Sequence, residues 1–156
     1  RRTGYEAALA GGYDACLTLD SDGQHDPEWI ERLLDGLAPE VDLVIGSRMT
    51  DPGPMPILRV LTNRFMSRVL SGLIGQRVLD TQSGFRLVRR RVIESITLVT
   101  DRFETESELL IKAGRRGFRI AEVPIPAVYG AEKSRIRPVA DTIRWIRMLR
   151  ASRNWR

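Results

Sequence analysis

Short apolar runs that stop abruptly at polar residues alternate along this chain with segments of helical apolar spacing, and no other feature restricts the fold as much. Gly4 to Tyr13 reads as a helix, and Ala15 to Leu19 as a buried strand that ends at Asp20. Asp26 then Pro27 forms a helix start, an acceptor side chain before the one helical position that suits proline. Trp29, Ile30, Leu33, Leu34 and Leu37 keep helical spacing behind it. Val41 to Ile45 is the next strand. Pro52, Gly53, Pro54 and Pro56 mark a loop, after which Leu58, Leu61, Phe65, Val69 and Leu73 trace an apolar stripe through a long helix ended by Gly72 and Gly75. A turn at Ser83 and Gly84 leads to a strand at Phe85 to Val88 and a short helix. Phe103 to Arg116 is a helix closed by Gly117, Phe118 to Ile125 a strand, Val128 to Arg137 a polar loop, and Pro138 opens a last helix. This order predicts an α/β fold, a mainly parallel sheet flanked by helices, with ligands gathering at the carboxyl ends of the strands. Asp20, Ser47 and Arg48 sit at such ends.

Composition narrows the chemistry. At 156 residues, 42% hydrophobic and 29% charged, the chain has the balance of one globular domain with one core. No stretch approaches the roughly 18 apolar residues that span a bilayer, and the first residues lack the apolar run of a signal peptide, so the cytoplasm is the expected compartment. Cys16 and His25 are the only residues of their types, which excludes an internal disulfide and a Cys/His zinc site, so any metal is held by oxygen. The formal charge of +5 is carried almost wholly by arginine, Lys112 and Lys133 being the only lysines. Such a surface suits phosphate in a nucleotide, a phospholipid headgroup or a nucleic acid. Nucleic acid is the weakest of the three, because Trp29, Phe65 and Phe118 fall in apolar periodic positions rather than among clustered cations.

Asp20-Ser21-Asp22 follows directly on a buried strand, so two carboxylates emerge together at the sheet rim with a small residue between them. That is the outline of a site for Mg²⁺ or Mn²⁺, which take oxygen ligands and keep positions open for substrate phosphates; the competing reading is a polar turn. Arg48, Arg86, Lys133 and Arg135 lie in loops or at strand ends rather than on helix faces. They are candidates for a diphosphate and an acceptor phosphate, against solvated surface charge. Glu104 and Glu106 fall at a helix start, where carboxylates are favoured as caps.

Several segments together resemble family 2 glycosyltransferases, closest to the polyprenyl-phosphate branch, which is dolichol-phosphate mannose synthase-like. They are Leu19-Asp20-Ser21-Asp22-Gly23-Gln24-His25-Asp26-Pro27, Gly46-Ser47-Arg48, Asp80-Thr81-Gln82-Ser83-Gly84-Phe85-Arg86, Phe103-Glu104-Thr105-Glu106, and Glu122-Val123-Pro124-Ile125 with Lys133-Ser134. The resemblance implies a GT-A fold and an inverting transfer of a hexosyl group from a UDP- or GDP-sugar to polyprenyl phosphate at the cytoplasmic membrane face. It also implies a metal on Asp20 and Asp22, substrate contacts from Gln24 and Glu106, and Asp80 as the carboxylate proposed for general base. A phosphate acceptor, already ionised at pH 7, leaves Asp80 to position rather than deprotonate; a sugar hydroxyl acceptor needs the base far more. Such enzymes begin with a base-gripping unit that is not found here. Residues 1–156 are therefore expected to form the C-terminal part of one GT-A domain, lacking its first strands, and by itself such a piece is expected to be inactive. Residues 138–156, with Arg144, Arg147, Arg150 and Arg153, Ile143 and Ile146, and Trp145 and Trp155 as anchors, together with the helix around Leu58 to Ile74, form amphipathic elements expected to lie peripherally on anionic lipid. Donor base, oligomeric state and the choice between lipid phosphate and a soluble or polysaccharide hydroxyl stay open.

Overall fold

The computed structural model of the chain describes residues 2–20, 26–100, 104–128 and 138–155. Helix α1 (Arg2–Ala10) leads into β1 (Ala15–Thr18). Asp26 caps the short 3₁₀ turn Pro27–Trp29 by accepting the Glu28 N–H at 3.0 Å, and α2 (Ile30–Asp35) continues it. Strand β2 (Leu43–Ser47) is buried along its whole length, as its unbroken apolar run requires. Then come α3 (Ile57–Ile74), β3 (Arg86–Arg89), α4 (Arg90–Ser95), α5 (Glu104–Arg115), β4 (Ile120–Pro124) and α6 (Pro138–Ala151). Gly75 ends α3 in the left-handed conformation, φ 76°, where its N–H closes on Ser71 O.

The four strands lie in the order β1-β3-β2-β4. β1, β2 and β4 share a direction, but β3 runs antiparallel between β1 and β2, so the only parallel pairing among the described strands is β2 with β4. The mainly parallel expectation thus holds for strand direction and not for the pairing. The physical reason lies in residues 75–85, which carry the chain to the end of the sheet where β1 and β2 leave it; Arg86 enters opposite Thr18 and Ile45. Strand direction is set by that connection, and hydrophobic periodicity carries no information about it.

Alternate residues of β2 feed two apolar layers. Leu43 and Ile45 join Tyr5, Leu70, Ile74, Leu109, Leu110 and Met148 under the helices α1, α3, α5 and α6, whereas Val44 joins Leu33, Phe85, Leu87 and Ile125 on the α2 side. Helix α5 passes so near the end of α3 that a Cβ on Gly114 would stand 2.2 Å from the Ile74 carbonyl oxygen. Because the clash is with backbone, Gly114→Ala is expected to destabilise the protein by about 3 kcal/mol, read as a lower urea midpoint at unchanged slope.

Candidate functional site

The candidate site is built on a polar stripe that the apolar periodicity of α3 hides. Asn63, Ser67 and Ser71, four residues apart, point inward from this helix and hold the segment that follows it. The Ser71 hydroxyl donates to Val78 O and accepts its N–H; Ser67 Oγ accepts the Thr81 N–H at 3.0 Å; Asn63 Nδ2 donates to Asp80 Oδ1 at 2.9 Å. Their spacing within an arginine-rich helix is the sequence signal that would have revealed them. Leu58, Leu61 and Phe65 of the apolar stripe face outward instead, while Val69 and Leu73 are half-buried.

Asp80 is wholly buried. Its Oδ2 accepts the Arg48 backbone N–H at 3.0 Å and Nε at 2.9 Å, and its Oδ1 accepts Arg48 Nη2 at 3.1 Å and Asn63 Nδ2. These bonds occupy the acceptor capacity of a carboxylate. Burial alone would push the carboxyl up, but the guanidinium and the hydrogen bonds outweigh it and hold Asp80 below the ordinary carboxylate range. The carboxylate that the resemblance puts forward as general base is, in this arrangement, fully engaged by donors. What it does is fix the guanidinium of Arg48 at the carboxyl end of β2, beside the fully buried Ser47.

Arg86 is buried as well. Its side chain is 1% exposed and donates from Nε to Ser83 O at 2.8 Å, from Nη1 to Glu106 O at 2.8 Å and from Nη2 to Thr81 O at 2.9 Å. Its ion pair with Glu106, Nη2 to Oε2 at 3.7 Å, draws the start of α5 to the loop after α3. Arg86 and the buried Glu106 thereby hold the loop in shape from within. Glu122 on β4, unnoticed as a contributor of chemistry, accepts the Leu79 N–H at 2.8 Å and the Asp80 N–H at 2.9 Å. A further buried carboxylate, Glu108, takes the N–H groups of Val99 and Thr100, the Thr100 hydroxyl and the Lys112 ammonium. Burial works against its charge, and these donors more than offset it, holding Glu108 below the usual range.

Asp20 stands half-exposed at the exit of β1. Asp22, Gln24, Lys133 and Arg135 lie outside the described residues, and no group of three His, Cys, Asp or Glu able to hold a metal occurs among the described ones. At the rim, α3 exposes Ile57 and Leu58 at 73% each, Leu61 at 55% and Phe65 at 64%, with exposed Arg64 and Arg68 on the same face. Ile143 and Ile146 of α6 are exposed too, but Trp145 and Trp155 pack against the main core, and Lys112 lies over the Trp155 ring at 5.1 Å. None of the described helices is long and apolar enough to cross a membrane.

Residues 3–97 match the sequence pattern of Glycosyl transferase family 2. The chain belongs to that family. Within family 2 it is 35% identical over 135 residues to a dolichyl-phosphate hexose transferase of Haloferax volcanii, a match covering 86% of this chain and 59% of that protein. It is 33% identical over 128 residues to the polyprenol monophosphomannose synthase of Mycolicibacterium smegmatis, covering 78% of this chain and 48% of that one. The chain spans about half the length of the curated relatives it matches. In fold it is similar to glucosyl-3-phosphoglycerate synthase of Mycobacterium tuberculosis, solved with Mn²⁺ and UDP-glucose. The TM-score is 0.73 at 21% identity, covering 97% of this chain and 53% of that one. The four-stranded sheet and its helices are thus a family 2 glycosyltransferase framework of GT-A type.

Proposed function

We propose that the whole protein carrying this chain transfers a hexosyl group, with inversion, from a UDP- or GDP-sugar to polyprenyl phosphate at the cytoplasmic face of the membrane. In this reading, residues 1–156 are the C-terminal part of a single GT-A domain. The observation that carries the reading is Arg48: a guanidinium fixed by a bidentate carboxylate at a strand end, close to a helix, α3, whose outward face is apolar and basic. The sugar-lipid names of the relatives support it. Arg48, with Lys133 and Arg135, binds the acceptor phosphate, and Gln24 contacts the donor. Asp80 positions Arg48, and no base is required, because a phosphate monoester with a second pKa near 6 is already the nucleophile at pH 7. Arg86 and Glu106 serve by holding the loop in shape.

The donor set at the end of β1 fits a hard cation: Asp20 offers oxygen at the rim, and Asp22 follows two residues later in the sequence. Together they would hold Mg²⁺ or Mn²⁺, the latter present in the solved neighbour. When bound, the ion neutralises the charge that grows on the departing nucleoside diphosphate.

In the same reading, the outward faces of α3 and α6 rest on the anionic leaflet without crossing it. Vesicle co-sedimentation of the whole protein checks this. Binding should require anionic lipid, weaken with salt, and fall about fivefold for each of Arg64, Arg68, Arg147 and Arg150 changed to Gln, corresponding to about 1 kcal/mol per surface cation. Equal binding to neutral and anionic vesicles, or none to either, would remove the docking. A panel of UDP- and GDP-sugars, each assayed with and without polyprenyl phosphate, identifies the donor and tests the transfer itself.

A further inference from the structure

We infer that Glu122 is a positioning residue for the acceptor phosphate, acting through the backbone of residues 79–80 on Asp80 and through Asp80 on Arg48. The inference rests on the proposed role of Arg48. Glu122 stands opposite Ile45 in the parallel β2–β4 register, and Ile45 stands opposite Arg86, so all three side chains belong to the sheet face over which the segment after α3 folds. Each carboxylate oxygen of Glu122 takes one of two consecutive peptide N–H groups, Leu79 at 2.8 Å and Asp80 at 2.9 Å. A carboxylate gripping two neighbouring N–H groups fixes the orientation of the peptide between them, and charge assistance makes that grip about twice as strong as neutral bonds. The peptide orientation sets the direction of the Asp80 side chain. Asp80 in turn holds both the backbone N–H and the guanidinium of Arg48. Displacing a positioning group by about 1 Å costs roughly a hundredfold in rate. A carboxylate on the edge strand β4 thereby reaches the acceptor end of the site without touching substrate.

Glu122→Gln keeps the shape, removes the charge and turns one acceptor into a donor facing an N–H. In the whole protein its KM for polyprenyl phosphate should rise about tenfold and kcat/KM for that acceptor should fall about a hundredfold, while the KM for the sugar nucleotide stays within about twofold. Combined with Arg48→Lys, which keeps a charge but cannot make both Asp80 bonds, the acceptor kcat/KM should drop little below that of Arg48→Lys alone, since both changes break one chain of contacts. Two readouts need no substrate: amide exchange at Leu79 and Asp80, and phenylglyoxal labelling of Arg48, should each quicken at least about tenfold. Glu122→Asp, with both oxygens on a shorter stem, should shift all of these in the same direction by less, and it carries the test if Glu122→Gln does not fold. Unchanged exchange and labelling, a lower melting temperature with normal acceptor KM, or losses that multiply in the double variant would each overturn the positioning role. A wild-type protein that makes no sugar-lipid would instead overturn the proposed function, and exchange and labelling would still decide the case of Glu122.

Discussion

Replacing Asp80 with Ala will abolish sugar transfer and lower stability by about 3–5 kcal/mol, the usual cost of leaving one member of a buried ion pair without the other. Arg48 is 8% exposed, so its charge cannot simply turn to water when the carboxylate is lost. Asn63, left without its acceptor, adds to the cost. Asp80→Asn separates the contributions: the shape remains, one oxygen still accepts, and the charge is gone. Urea unfolding combined with transfer assays should rank wild type above Asp80→Asn above Asp80→Ala in both quantities. Acid provides a second check. Asp80 is held below its unfolded pKa, so its contribution is complete above that value, near 4, and is lost as pH falls through the lower folded value. Glu108 is shifted in the same direction and contributes in the same window. Stability should therefore decline steeply below about pH 4 in the wild type and less steeply in Asp80→Asn. An Asp80→Ala protein of normal stability and activity would remove the pair from the account.

Asp20→Ala and Asp22→Ala, each made in the whole protein, should reduce transfer on the order of 1,000-fold, since a bound cation supplies several kcal/mol of charge stabilisation at the leaving diphosphate. Melting should change little, because Asp20 is half-exposed at the end of β1 and outside the apolar clusters. Titrating Mg²⁺ and Mn²⁺ at fixed donor concentration provides the measurement. Normal activity of Asp22→Ala at saturating metal would mean that the Asp-Ser-Asp sequence is the polar turn it also resembles.

The sequence made some of this architecture legible because local rules govern it. Asp26 and Pro27 start their helix as capping chemistry requires, β2 shows its double-sided burial as an unbroken apolar run, and Gly75 and Gly117 end helices at positive φ. The strand exits at Asp20 and Arg48 were visible for the same reason. What escaped depends on partners distant in the chain. Glu122 and Asp80 are 42 residues apart, and Arg48 and Asp80 are 32 apart. No periodicity announces that a carboxylate on one strand will cap a loop over another. Arg86 and Arg48 stood in the sequence as phosphate candidates at strand ends, against solvated surface charge, and only the fold shows them buried. On α3, the polar residues Asn63 and Ser67 share the inward face with Val60, Leu70 and Ile74, while Leu61 and Phe65 face outward, so the apolar stripe read from the sequence is not wholly the buried one. The direction of β3 followed from a loop path, which hydrophobic spacing does not encode.

Offering one labelled sugar nucleotide to the whole protein with competing acceptors tests the central claim most directly. Polyprenyl phosphate, the same lipid as a free alcohol, and a soluble phosphorylated acceptor such as phosphoglyceric acid, which was bound in a solved neighbour of the same fold, should be supplied together with Mg²⁺ or Mn²⁺. The account predicts label in the organic-extractable fraction with polyprenyl phosphate alone, and loss of that product in Asp80→Ala. Label carried to the soluble acceptor or to the free alcohol, with polyprenyl phosphate left unmodified, would contradict it.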